Sequence, residues 1–115
     1  MVDDSLINIK VAQKILEHEG IKVYSVLSGK ACLENVKDNT YDIIFMDIMM
    51  PEMDGVETMQ KLKNIEGFCT PIVALTADAQ GDAKAKYLSL GFDGYIAKPI
   101  IIDELKNTLK QININ

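Results

Sequence analysis

The chain has 115 residues, a formal net charge of −5 and 48 % apolar residues, which suits one domain with one core. Its twelve basic residues are all lysines. Arginine is the preferred bidentate reader of guanine, so an acidic chain without it is a poor candidate for binding nucleic acid. The apolar runs are too short to cross a bilayer, and no basic-then-apolar signal peptide opens the chain. Two cysteines without metal or disulfide spacing favour a reducing cytoplasmic location.

Helical patterns occupy most of the chain between short apolar runs. The first helix is expected from Ser5 to Glu19, with Gly20 as its stop, and Ser28 can cap a second through about Lys37. The capping box of Asp54 and Glu57 predicts a third. The last two are predicted at about 81–90, which is alanine-rich and thinly apolar, and at about 102–112.

Four short runs rich in β-branched, aromatic and other apolar residues predict strands: 22–27, 41–46, 71–76 and 94–99. Nearly continuous apolar runs of this length suit strands that are buried on both faces. Strands that alternate with helices indicate right-handed βαβ units and a parallel sheet. In such sheets ligands bind at the carboxyl ends of the strands.

Polar side chains follow the predicted strands at the edge where a ligand would bind. Asp47 ends the second run, Thr76 the third and Lys98 the fourth, while Asp3 and Asp4 stand just before the first helix. Because the carboxyl ends of parallel strands share one edge, we expect three carboxylates, a hydroxyl and an ammonium to converge there.

Three close carboxylates repel one another unless a hard divalent cation lies among them. Mg²⁺ prefers oxygen ligands and joins carboxylates to phosphate oxygens. A lysine and a threonine hydroxyl suit the oxygens of a transferred phosphoryl group, and aspartate is a known acceptor that forms an aspartyl-phosphate. Asp47 is the best candidate acceptor because it is the carboxylate most closely framed by apolar strand.

The chain resembles the receiver (phosphoacceptor) domain of two-component response regulators and hybrid sensor histidine kinases. The resemblance rests on four stretches, which occur in the family's order and cover nearly the whole chain: VDDSLINIKVAQKIL, FMDIMMPEMDG, PIVALTADA and GFDGYIAKPI. It implies a doubly wound five-stranded parallel sheet in the order 2-1-3-4-5, with helices on both faces, over residues 1–115. Only Met1 and Val2 precede Asp3, so the first strand is expected to be truncated.

The resemblance also implies a role for each site residue. Asp47 accepts the phosphoryl group, and Asp3, Asp4, Asp47 and the backbone carbonyl of Met49 form the Mg²⁺ site, with Asp4 a direct ligand and Asp3 acting mostly through water. Thr76 and Lys98 contact the phosphoryl oxygens, Thr76 and Tyr95 form the switch, and the Lys98–Pro99 peptide is cis.

The implied function is phosphorylation-controlled signalling. A histidine kinase or histidine phosphotransfer protein donates the phosphoryl group, and the domain catalyses only its own phosphorylation and dephosphorylation. An effector domain or downstream protein is expected on the face formed by the fourth helix, the 94–99 strand and the fifth helix.

Two other functions compete with this one. Phosphatases that form an aspartyl-phosphate usually carry a second aspartate two positions after the first, where this chain has Met49, which argues against turnover of external substrates. A docking domain that keeps only the fold is the remaining alternative. The intact acidic set argues against it, and the short first strand argues for it.

Overall fold

The computed structural model describes residues 1–77, 81–98 and 100–112 of the chain. The cis peptide expected before Pro99 therefore lies outside the described residues. The helices are α1 (Leu6–His18), α2 (Gly29–Asn35), α3 (Gly55–Lys63), α4 (Ala83–Leu90) and α5 (Ile102–Gln111). The strands are β1 (Ile44–Asp47), β2 (Ile72–Thr76) and β3 (Gly94–Ala97).

The strands form one parallel sheet in the order β1-β2-β3. Alternate side chains point to opposite faces, and each face has its own core. Ile44, Met46, Ile72 and Ala74 pack on one side with residues of α3 and α4, whereas Phe45, Val73, Leu75 and Ile96 pack on the other with Leu16 of α1 and Leu105 of α5. Helices thus cover both faces, which confirms the predicted α/β class.

Side-chain caps begin the first three helices, and those of Ser28 and Asp54 were predicted from the sequence. The Ser5 hydroxyl accepts a hydrogen bond from the N–H of Asn8, and Ser28 does the same for Ala31. The Asp54 carboxylate accepts from the N–H of Glu57 at 2.9 Å. These caps satisfy backbone donors that have no partner within the first turn of a helix.

The first strand and the 22–27 strand are reduced to single bridges. Val2 pairs in parallel with Val26 on one side and with Met46 on the other, so the segments lie in the predicted order, 2-1-3-4-5. The run 22–27 otherwise lacks strand geometry, and Tyr24 is 54 % exposed. The pairing found along this run is the bridge of Val26 to Val2 and a hydrogen bond from the Met1 ammonium to the Tyr24 carbonyl at 2.7 Å.

The carboxylate of Asp93 connects the starts of β2 and β3. Asp93, just before β3, accepts hydrogen bonds from the backbone N–H of Ile72 and from Lys63 Nζ, both at 2.9 Å. This bond fixes the beginning of β2 next to that of β3, so the two strands reach the opposite edge in register. Within the described ranges no helix is long and apolar enough to cross a membrane.

Candidate metal and phosphoacceptor site

Asp47 is the last residue of β1 and is only 4 % exposed. Its backbone N–H donates to the carbonyl of Val2 at 2.9 Å, and the following N–H, of Ile48, donates to Leu75 at 3.1 Å. The residue is thus bonded to a neighbouring segment on each side. By strand alternation its side chain belongs to the face of Phe45, which packs near α1 and α5.

The two carboxylates that precede α1 have different surroundings. Asp3 is fully buried, and its Oδ1 accepts a hydrogen bond from the N–H of Ser5 at 2.9 Å. Asp4 is exposed. One ligand oxygen from each of Asp3, Asp4 and Asp47 lies within 4.8 Å of the others. The convergence expected from the sequence is therefore present for these three carboxylates.

The Lys98 ammonium bridges two of the three carboxylates. Its Nζ lies 2.9 Å from Asp47 Oδ1 and 3.1 Å from Asp3 Oδ2. The backbone N–H of Lys98 donates to the carbonyl of Thr76 at 2.8 Å, which extends the pairing of β2 and β3 by one residue. This anchor aims the side chain across the end of the sheet toward β1.

Burial and charge shift the titration of the bridged groups. Burial raises the pKa of Asp47, and the negative charge of nearby Asp3 raises it further. The hydrogen bond and the positive charge of Lys98 lower the pKa, but they do not outweigh these effects, so the pKa of Asp47 lies above its ordinary value. For Lys98, burial lowers the pKa, but hydrogen bonds and attraction from Asp47 and Asp3 outweigh it and raise the pKa overall. The ammonium is held charged between two carboxylates.

Thr76 and Tyr95 lie on the other face of the sheet. Thr76 ends β2 on the face of Ala74, and its Oγ1 is 3.5 Å from the hydroxyl of Tyr87 in α4. The half-buried ring of Tyr95 stacks on that of Tyr87, with centroids 5.8 Å apart and planes 11° from parallel. The structure thus places Thr76 at the same edge as Asp47 but joined to α4.

The loop after Asp47 is closed by Gly55. Its N–H donates to the carbonyl of Ile48 at 2.9 Å, and a Cβ at this position would collide with the carbonyl of Asp47. Only glycine therefore lets α3 begin this close to Asp47. Within the loop the Met49 side chain is 78 % exposed, and Glu52 has a φ of 65°, a left-handed conformation uncommon outside glycine.

The donor set fits a hard divalent cation. Carboxylate oxygens are the ligands that Mg²⁺ takes in proteins, usually with several waters retained, and exposed Asp4 leaves the cluster open to solvent. The three carboxylates face a single bridging ammonium among the described residues. This charge imbalance favours a bound cation.

Sequence reasoning missed Tyr87, which contacts both predicted switch residues. The only signal for it was a large aromatic residue in a helix otherwise built of alanine, lysine, leucine and serine. It also missed Asp93, because no local sequence pattern shows that a loop carboxylate accepts a hydrogen bond from the backbone N–H of a strand residue 21 positions away.

The chain forms a doubly wound α/β domain, in which helices cover both faces of a parallel sheet. A cluster of carboxylates that fits a divalent cation lies at the carboxyl edge of this sheet. The chain belongs to the response regulator receiver domain family, whose sequence profile matches residues 1–110.

Relatives of the chain include much longer sensor kinases. It is 38 % identical over 122 aligned residues to hybrid signal transduction histidine kinase L of Dictyostelium discoideum, covering 100 % of this chain and 7 % of that protein. It is 39 % identical over 103 residues to the sensor histidine kinase GacS of Pseudomonas protegens, covering 86 % of this chain and 11 % of that protein. Each relative is thus matched over a small part of its length.

Among solved structures, the Francisella response regulator 1452 receiver domain superposes with a TM-score of 0.84 at 30 % identity. The match covers 97 % of this chain and 93 % of that one. The likeness therefore extends over nearly the whole chain.

Proposed function

We propose that residues 1–115 form one receiver domain that accepts a phosphoryl group on Asp47 in a Mg²⁺-dependent reaction. Membership of the family supports a role in phosphorylation-based signalling. The observation that carries the proposal is the position of Asp47, at the end of a buried strand between two other carboxylates and the Lys98 ammonium.

In the proposed transfer, an Asp47 carboxylate oxygen attacks the phosphorus of a phosphohistidine. An O–P bond forms, the N–P bond breaks, and its electron pair returns to the imidazole nitrogen. Asp3, Asp4, Asp47 and the Met49 carbonyl would hold the Mg²⁺, which offsets negative charge on the phosphoryl oxygens. Lys98 already lies against Asp47 and would bind a phosphoryl oxygen there, and Thr76 would donate a hydrogen bond to another.

The donor is proposed to be a histidine kinase or a histidine phosphotransfer protein. Leu6, Ile7 and Val11 of α1 are 53–75 % exposed, and Val11 lines a cavity of about 250 Å³ together with Asp3 and Lys98. This apolar surface beside the acceptor offers a protein donor a place to pack. The chain is proposed to act in the cytoplasm and to be no enzyme toward external substrates.

Intact-mass measurement after incubation with acetyl phosphate tests the proposal. We expect the mass of one phosphoryl group to be added with Mg²⁺ present, and none when the metal is chelated. Asp47→Asn should abolish the increase because it removes the nucleophile. Asp54→Asn is the matched control, since asparagine caps a helix as well as aspartate does.

A full mass increase in Asp47→Asn would exclude Asp47 as the acceptor. If the unaltered chain gains no mass with Mg²⁺ and acetyl phosphate, the docking-domain alternative gains support.

A further inference from the structure

α4 is attached to the sheet mainly by one side chain. Its buried residues are Ala83 and Tyr87, and no side chain caps its N-terminus. Tyr87 is 4 % exposed, and its side chain is much larger than that of Ala83. The position of α4 on the sheet is therefore set largely by what Tyr87 contacts.

Tyr87 contacts three residues: Thr76 at the carboxyl end of β2, Tyr95 within β3 and Phe92 just before β3. Its hydroxyl is 3.5 Å from Thr76 Oγ1, and its ring stacks on Tyr95 at 5.8 Å between centroids. The edge of Phe92 completes the cluster, at 6.0 Å and 81°. Both aromatic arrangements are favourable ones.

We propose that Tyr87 is a positioning residue for phosphorylation of Asp47. Its hydroxyl holds the Thr76 hydroxyl on the α4 side of the sheet before phosphorylation, and its ring transmits the movement of Thr76 to Tyr95. The proposal rests on the function proposed above for Asp47 and Thr76.

The geometry of the strands supports the first half of the proposal. Thr76 shares the face of Ala74, whereas Asp47 shares the face of Phe45. To reach a phosphoryl group on Asp47, the Thr76 side chain must turn across the sheet edge into another staggered rotamer. That rotation carries Oγ1 away from the Tyr87 hydroxyl.

The length of the contact sets the size of the effect. A separation of 3.5 Å is well beyond the usual 2.7–2.8 Å of a hydroxyl–hydroxyl bond, so the contact is weak and costs little to break. A net neutral hydrogen bond corresponds to roughly two- to tenfold in an equilibrium, and we expect the lower part of that range.

The stacked rings support the second half. Tyr95 is half-buried, and its ring lies flat against that of the buried Tyr87. When the hydroxyl contact to Thr76 breaks, Tyr87 loses one of the contacts that fix its ring. Tyr95 must then repack against it, and α4 moves with Tyr87.

Tyr87→Phe tests the hydroxyl while keeping the ring. With acetyl phosphate and saturating Mg²⁺, we expect the variant to be phosphorylated about two- to fivefold faster than the unaltered chain. Tyr24→Phe is the matched control, because it removes a hydroxyl from an exposed ring at the other edge of the sheet, and its rate should not change. In a Thr76→Ala background, Tyr87→Phe should have no effect on the phosphorylation rate. If Tyr87 had only a structural role, its substitution would change the rate by the same factor with or without Thr76.

Tyr87→Leu tests the ring. It keeps a large buried apolar side chain but removes the stack on Tyr95. The NMR shift changes that beryllofluoride with Mg²⁺ induces at Tyr95 should fall to less than half of those in Tyr87→Phe, while those near Asp47 stay the same.

Equal rates for Tyr87→Phe and the unaltered chain, or the same acceleration with and without Thr76, would overturn the role of the hydroxyl. Undiminished changes at Tyr95 in Tyr87→Leu would overturn the role of the ring. If the unaltered chain takes up no phosphoryl group, the proposed function fails and this inference fails with it; if it does and the variants behave alike, only this inference fails.

Discussion

Asp3 and Asp4 are neighbours in the chain, yet their surroundings suit them for different tasks. Both oxygens of Asp3 already have donors, the Ser5 N–H and the Lys98 ammonium, and the residue has no exposed surface. Asp4 is exposed, with a carboxylate oxygen close to those of Asp3 and Asp47. A buried carboxylate with two donors is costly to remove, whereas an exposed one is free to bind a cation.

We therefore expect opposite effects from the two alanine variants. Asp4→Ala should weaken Mg²⁺ binding more than Asp3→Ala does, and it should change the free energy of unfolding by less than about 0.5 kcal/mol. Asp3→Ala should destabilise the metal-free fold by about 1–3 kcal/mol, because it leaves buried donors without an acceptor. Mg²⁺ titration followed by NMR and urea unfolding measure the two quantities.

Asp42→Ala, an exposed aspartate at the other end of β1, is the control for both measurements. Equal Mg²⁺ affinities for the two variants would contradict the assignment of Asp4 as the direct ligand. Equal unfolding midpoints would contradict the structural role of Asp3.

The meeting of Asp3, Asp4, Asp47 and Lys98 could be predicted from the sequence, because Asp47 and Lys98 end predicted strands, Asp3 and Asp4 stand just before the first helix, and parallel strands end at one edge. The different burial of Asp3 and Asp4 could not, since nothing in the sequence of two adjacent aspartates distinguishes their surroundings. The link between Thr76 and Tyr87 was equally hidden, because it joins residues on different elements.

At the scale of elements, local pattern predicted the helices and the central strands more reliably than the edge of the sheet. The helix caps are formed within three residues in sequence, so their signal is local. The run 22–27 has the composition of a strand, but Val26, paired with Val2, is the one residue in it that forms a β-bridge. The sequence pattern shows which secondary structure a segment prefers, but tertiary contacts decide whether that secondary structure forms.

α4 is the element that we expect to respond to phosphorylation. A phosphoryl group adds roughly −1.5 to −2 charges and strong acceptor oxygens, to which Thr76 and Lys98 would turn. Few buried contacts oppose a shift of α4, and such weakly held segments change most readily. Amide exchange with and without Mg²⁺ and beryllofluoride should show changes concentrated in residues 76–105, beyond the immediate surroundings of Asp47.

The face of α4, β3 and α5 would then be the surface read by an effector or downstream protein. The Asp47→Asn variant is the control, since any exchange differences that beryllofluoride causes in this variant would come from binding at another site. Exchange differences confined to residues that contact the mimic would mean that this chain lacks the switch, and would favour the docking-domain alternative.

At the scale of the whole molecule, the alternation of strands and helices indicated a parallel sheet, but several strand orders satisfy the same alternation. The order 2-1-3-4-5 was predicted from the resemblance alone, and the bridges of Val2 to Val26 and Met46 agree with it. The chain spans 7 % and 11 % of the length of the two relatives described above.

The negative charge of the molecule and its cluster of carboxylates predict that Mg²⁺ stabilises the folded chain. The chain carries a net charge of −5, and three of its carboxylates lie within 4.8 Å of one another at one edge. A cation that binds only the folded chain stabilises it by mass action, by about 2.7 kcal/mol at one hundred times its dissociation constant. For a chain of 115 residues this corresponds to a rise in Tm of about 10 °C.

We therefore expect Mg²⁺ to raise the Tm of the unaltered chain, as measured by circular dichroism at constant ionic strength set with potassium chloride. Asp47→Asn and Asp4→Ala should each reduce the rise, because each removes a proposed ligand, whereas Asp54→Asn should leave it unchanged. Constant ionic strength matters because salt alone screens the repulsion among exposed carboxylates. A rise of the same size in all four proteins would show that Mg²⁺ acts through the general acidity of the surface, and the cluster of Asp3, Asp4 and Asp47 would not be its binding site.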